Sequence, residues 1–179
     1  MNISKVGAAQ APLRKEYKIR PQSARVVDGA KASSPYTDDP FHSIVEPMPG
    51  CGATLPVGVH HALGGPHDYP TPGDILCAAL AACQDSTIRM VANLLGITLE
   101  SLEVTVTADI DVRGTMLVDP DVPVEFQAMR CDVQLQVRKG TSPALIQRLT
   151  AVAERSCVVL QTLRNPPLID LGITMQRET

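Results

Sequence analysis

The chain has no tryptophan, and the aromatic residues together make up only 3% of its 179 residues. Aromatic platforms for stacking nucleic-acid bases are therefore excluded, and a core has to be built from Val, Leu, Ile, Ala and Met. Positive charge is also not in excess. A formal charge of -3 and an isoelectric point near 5.8 supply no field for nucleic acid or for an anionic membrane surface, and neither partner is expected. No uncharged apolar run reaches the roughly 18 residues of a bilayer span, because Asp85 and Arg89 interrupt the best candidate. The opening "MNISKVGAAQAPLRKEYKIR" lacks the apolar core and small-residue cleavage site of a secretory signal, so a cytoplasmic protein is expected. The five cysteines, at positions 51, 77, 83, 131 and 157, are odd in number, widely spread and without a CxxC pair. That spacing excludes a disulfide-stapled secreted scaffold. In a reducing compartment a cysteine is by default a small buried hydrophobe, so a reactive thiol has to be argued from its position.

What is present is enough for one domain over residues 1–179, with about 1–22 as an N-terminal extension. The first sixty or so residues are broken by Pro and Ser, and offer two strands, "SARVVDG" (Ser23 to Gly29) and "HSIVEP" (His42 to Pro47), able to pair as a hairpin. The Gly- and Pro-rich "MPGCGATLPVGVHHALGGPHDYP" reads as a long ordered loop. Then Thr71, Pro72 and Asp74 supply a cap, a proline at the first helical position and an acid three residues after the cap. These satisfy the free amides of a first turn and predict a helix of about 24 residues, closed by Gly96. Its apolar residues spread around most of the circumference, with Leu76, Ala79, Leu80, Thr87, Met90 and Leu94 on the face of Cys83, so the helix is expected to be buried nearly all round.

Alternating apolar and polar residues predict a strand in "LESLEVTVTADIDVRG" and an antiparallel neighbour in "MRCDVQLQVRKG", where Cys131 falls on the apolar parity. Ser142 and Pro143 announce a second helix running to about Cys157; "VVLQTLRN" adds a short helical piece, and "LIDLGITMQ" reads as a closing strand. The class is α+β, with helices packed on antiparallel sheet.

The segments "PTPGDILCAALAACQDSTIRMVANLLGI", "LEVTVTADIDVRG" and "LTAVAERSCVVLQTL" resemble the OsmC/Ohr family of thiol-dependent hydroperoxide reductases over about residues 60–175. The resemblance implies an OsmC-like fold whose long central helix is buried in an intertwined homodimer. It implies a peroxidatic Cys83 in an "AALAAC" setting and a resolving Cys157, where "CVV" replaces the family's "CPV". Organic hydroperoxides would be the substrate, an external thiol the reductant, and oxidative stress defence the setting; no cofactor is implied. In the family an arginine from the N-terminal hairpin stabilises the first thiolate and a glutamate near the start of the long helix orients it. Arg25 is the candidate for the arginine, with Arg14 and Arg20 also preceding the hairpin. Gly73 stands at the glutamate's position and Asp74 beside it. Asp74 lies nine residues from Cys83, about 180° away on a regular helix, which favours capping over catalysis. Loss of the glutamate leaves a second function open: an OsmC-fold protein without peroxidase turnover, binding a small apolar ligand at the dimer interface.

Cys77 lies about 240° around the helix from Cys83 and reads as packing. Glu154 and Arg155 precede Cys157 and could act on it electrostatically. Asp85 and Arg89 are spaced as a stabilising helix pair. His60, His61 and His67 stand close together with Asp68. Adjacent histidines converge on one ion only where the backbone is extended or sharply turned, so no metal is expected, and the loop is read as lining the mouth of the thiol pocket.

Overall fold

The structure, a computed structural model, describes residues 4–35 and 37–175. Helix α1 (Lys5–Ile19) opens the chain where the sequence suggested only an extension. Ser4 caps it by accepting the Gly7 amide, and Glu16 pairs with Arg20 one turn on at 2.7 Å. The Val6 amide donates to Asn93 Oδ1 at 2.9 Å, which ties α1 to the central helix. Ala, Gln, Lys and Glu are good helix formers and outweigh Gly7 and the internal Pro12.

The expected strand at Ser23 to Gly29 does not form. Residues Pro21–Ala24 make a 3₁₀ turn, and pairing begins downstream in β1 (Lys31–Ser33), which runs antiparallel to β2 (Ser43–Glu46). The region read as one long loop contains a third strand, β3 (Leu55–Val57), on the other side of β2. A hairpin therefore exists, but its first strand is shifted along the chain.

Helix α2 (Pro72–Leu95) begins and ends where its caps predict. Thr71 Oγ1 accepts the Asp74 amide while the Asp74 carboxylate accepts the Thr71 amide at 2.8 Å, and Gly96 ends the helix at φ 70°. A positive φ at this position suits glycine because no Cβ meets the preceding carbonyl. By length and composition α2 could cross a membrane, but it serves here as the core helix. Strands β4 (Leu99–Asp109) and β5 (Ala128–Val137) pair antiparallel, with Val104 opposite Val133 and Cys131 opposite Val106. A register irregularity at Leu99 to Ser101 returns Leu99 to the half-buried side occupied by Leu102, Val104 and Val106. The strand stops earlier than the alternation suggested: Val112–Thr115 form the one-turn helix α3, capped by Asp111.

Helix α4 (Pro143–Ser156) and the short α5 (Val158–Arg164) follow, as their caps and apolar spacing predict. The core forms where α2 and α4 meet the sheet: Ile88, Val91, Ala92, Ile97, Leu149 and Ala153 are buried together, flanked by Leu102, Leu145 and Val137. Within one chain α2 is not buried all round, since Leu76, Met90 and Leu94 remain exposed. The expected closing strand is also absent. Residues up to Met175 run without strand pairing, with Leu168, Ile169, Leu171 and Ile173 almost fully exposed, and Gln176 lies outside the described residues.

Leu149, with none of its surface exposed, is the residue on which α4 seats. Leu149→Ala is expected to cost about 2–5 kcal/mol, read as a lowered urea midpoint with an unchanged slope.

Candidate active site around Cys83 and Cys157

Cys83 sits in the middle of α2, half-buried, on the side that α5 contacts. Cys157 occupies the single residue between α4 and α5, with φ -75° and ψ 106°, and is fully buried. This extended residue ends one helix and starts the next. It brings the Cys157 side chain and the first amides of α5 to Cys83, although the two cysteines are 74 positions apart in the chain (157 minus 83). Both are free thiols.

The two thiols differ in proton affinity. Burial pushes the Cys83 thiol up, but the Val159 amide, the Cys157 side chain, the Val158 amide and the Thr87 hydroxyl together outweigh it, and the net direction is down. Each of these groups can donate to a thiolate and so favours the charged form. Cys157 moves the other way: burial raises it, the Leu160 amide opposes this, and the neighbouring Cys83 and Cys131 add to the rise. A thiol held toward its anion therefore faces one held as S–H. Cys77 and Cys131 are both raised, first by burial and then by Asp74 and Asp132 respectively. Inert packing thus suits Cys77.

Arg25 is exposed on the irregular stretch after the 3₁₀ turn, outside the set of groups that act on Cys83, and its expected strand is missing. Arg14 and Arg20 are engaged on the surface of α1 with Gln10 and Glu16. Asp74 accepts from both the amide and the hydroxyl of Thr71, which hold its carboxyl below the usual range. It acts on Cys77 rather than on Cys83. Over Gly73 lies the Phe126 ring: a Cβ there would come within 3.1 Å of the ring edge. A glutamate at this position would need that ring to move.

Glu154 pairs with Arg164 at 2.8 Å, whereas Arg155 lines a shallow cleft at Cys157. Asp85 accepts from Arg89 Nε at 2.8 Å on the exposed side of α2. His60, from the histidine loop, borders a cleft whose thiol is Cys77. Three contributors were not singled out from the sequence as functional: the Val158 and Val159 amides and the Thr87 hydroxyl. Only Thr87, one turn beyond Cys83 on the same face, carried a sequence signal.

A second cleft, of about 940 Å³, opens between α2, β5 and the α4–α5 pair, lined by Leu80, Ile88, Met129, Leu149 and Leu160. Gln84, the neighbour of Cys83, is buried at its wall, and its Oε1 has no hydrogen-bond partner.

The family model described as "OsmC-like protein" matches residues 65–172, more than half of the chain. The chain belongs to the OsmC-like protein family. Its fold is also that of solved OsmC-like structures. The OsmC like protein from Mycoplasma pneumoniae superposes with a TM-score of 0.61 at 15% identity, over 79% of this chain and 89% of that one. An organic hydroperoxide resistance protein OsmC from Legionella pneumophila gives 0.53 at 24% identity, over 79% and 92%. An organic hydroperoxide resistance protein from Elizabethkingia anophelis gives 0.57 at 20% identity, over 80% and 91%. No curated protein matches the chain. In this OsmC-like chain both cysteines lie inside the region that matches the family.

The opposed proton affinities make a direct expectation. In a pH series of alkylation read by peptide mass spectrometry, Cys83 is expected to react with a midpoint below the ordinary thiol range, and Cys77, Cys131 and Cys157 above it. Thr87→Val removes one donor and is expected to slow Cys83 alkylation near neutral pH by about tenfold.

Proposed function

We propose that this chain is a two-cysteine thiol peroxidase that reduces organic hydroperoxides, with Cys83 as the attacking thiolate and Cys157 as the resolving thiol. The observation that carries the reading is the meeting of these two side chains, the first shifted toward its anion and the second away from it. The Cys83 thiolate attacks the terminal peroxide oxygen, the O–O bond breaks, and the alkoxide leaves as an alcohol after taking a proton. Sulfur is oxidised to sulfenic acid. Cys157 then attacks that sulfur, hydroxide leaves with the thiol proton as water, and a disulfide forms. Two equivalents of an external thiol return both cysteines to S–H and are themselves joined. The low proton affinity suits the nucleophile, and the amides of Val159 and Val158 help to hold its charge. The names of the Legionella and Elizabethkingia structures agree with this substrate class.

A second reading is favoured by one feature. Phe126 fills the space over Gly73, and the neighbouring α2–β5 cleft has an apolar wall of Leu80, Ile88, Leu149 and Leu160 beside the polar Gln84, Glu125 and Arg164, as a site for a small, mainly apolar ligand without turnover would have.

The functional unit in this proposal is a homodimer. Apolar surface at Val26, Val27, Leu168, Ile169, Leu171 and Ile173 is left uncovered by a single chain, together with Leu76, Met90 and Leu94 on α2. A second copy is the partner that the family resemblance implies for it.

One equivalent of cumene hydroperoxide added anaerobically to the reduced protein is expected to link the peptides of Cys83 and Cys157. In Cys157→Ser the same treatment leaves a Cys83 sulfenic acid that dimedone traps. Thiols that stay reduced in a folded protein would rule out the peroxidase and leave the ligand-binding reading. Sedimentation should show a dimer for the full chain, and a chain ending at Asn165 should shift toward monomer.

A further inference from the structure

Three of the four histidines of the chain come together in the loop before α2. Neighbouring histidines converge on one ion only if the backbone is extended or turns sharply between them. The structure supplies that turn. His60 is extended at φ -61° and ψ 144°, His61–Leu63 form one 3₁₀ turn, and Gly64 follows in the left-handed region at φ 84°. His67 itself is left-handed, at φ 55°, a conformation uncommon outside glycine. The loop is drawn shut by the Gly65 amide donating to His60 O at 3.2 Å and the His67 amide donating to Val59 O at 3.1 Å. At Gly65 the chain passes so close to Val59 that a Cβ would sit 2.3 Å from its carbonyl oxygen.

This folding places one ligand atom from each of His60, His61 and His67 within 4.8 Å of the others. The rings stack loosely, His60 being 4.3 Å from His61 and 4.2 Å from His67 between centroids. His61 Nδ1 and His67 Nδ1 are 3.2 Å apart. That contact is a hydrogen bond; two nitrogens bound to one tetrahedral zinc at about 2.0–2.1 Å stand about 3.3 Å apart, so an ion replacing the bond needs little change in their spacing. The His60 Nδ1 accepts the Ala62 amide at 3.0 Å, a contact that an ion on the same lone pair would replace. His61 and His67 are exposed and His60 is half-buried, so small side-chain rotations can close the set.

A carboxylate stands near the cluster. Asp74, at the start of α2, lines the same cleft as His60. Asp68, next to His67, is itself held by His42 Nε2 at 3.1 Å, and His42 Nδ1 is bonded to Asp39 at 2.7 Å. That chain anchors the far end of the loop.

We propose that His60, His61 and His67 form a binding site for a divalent transition metal ion of the zinc class, with three imidazole ligands and a fourth position open to water. Three nitrogen donors without thiolate suit zinc, nickel or copper rather than calcium or magnesium. The open position faces solvent beside the cleft that His60, Asp74 and Cys77 share. The site is separate from the Cys83 and Cys157 pair, and it stands or falls independently of the peroxidase reading.

Cobalt(II) titrated into the full-length reduced protein, with a phosphine reductant that keeps the thiols free, provides the test. The expected result is saturation at one ion per chain, with visible d–d bands and no thiolate-to-cobalt charge-transfer band. His61→Ala and His67→Asn are each expected to weaken binding by at least about tenfold. Asparagine is chosen at position 67 because it tolerates the left-handed backbone, and far-UV circular dichroism with a thermal melt checks that each variant folds. Zinc should displace the cobalt and raise the melting temperature of the wild type but not of folded variants. Absence of binding at 0.1 mM-order cobalt (about 10⁻⁴ M, far weaker than structural or catalytic zinc sites), a thiolate charge-transfer band, or unchanged affinity in folded His61→Ala and His67→Asn would each overturn the proposal.

Discussion

Cys157 has an extended backbone between two helices, and that single residue sets the direction of everything around the thiol pair. If α4 continued regularly, the amides of Val158 and Val159 would be bonded inside it and unavailable. Because the helix breaks here, those amides belong to the first turn of α5, where backbone N–H groups have no intrahelical partner. They turn instead toward the sulfur of Cys83. The break can be held only because Cys157 is completely enclosed and α4 is anchored by Leu149 and Ala153 against α2. Core packing and thiol chemistry thus share one set of contacts: loosening α4 would change both stability and the proton affinity of Cys83.

A desolvated thiolate is expensive unless directed donors surround it. Among the described residues of this chain the donors are two amides, the Cys157 thiol and the Thr87 hydroxyl, groups that carry no net charge. Arg25 stands outside this set on an exposed stretch, and the Asp74 carboxylate is committed to Thr71 on the other side of the helix. Phe126 over Gly73 belongs to the same pattern, since the space for a second carboxylate is taken by an apolar ring. Among the described residues of one chain, the groups that lower the proton affinity of Cys83 are dipoles rather than a cation.

The parts of the fold legible in the sequence are those with local causes. Thr71, Pro72 and Gly96 mark both ends of α2; Ser142 and Pro143 start α4; and alternation alone placed β4 and β5 side by side. The pairing of Cys83 with Cys157 came from the family resemblance, not from spacing, because only the tertiary fold joins residues so far apart. Other features escaped for identifiable reasons. Helix α1 has few apolar residues to mark it as an element, and part of its anchoring is the Val6 to Asn93 bond far away in the sequence. "SARVVDG" has strand-like residues, but strand formation needs a pairing partner, and β2 pairs with Lys31–Ser33 instead. The same reason applies to "LIDLGITM", whose alternation finds no neighbouring strand among the described residues of its own chain. The convergence of the histidines depends on a left-handed His67, which residue type alone does not announce.

Gln84 introduces a different consideration. Its Oε1 is enclosed at the wall of an apolar cleft and has no donor, a deficit worth about 1–3 kcal/mol. Because that oxygen is enclosed, its unmet hydrogen bond is a cost that α2 itself carries, at the residue immediately after the thiol.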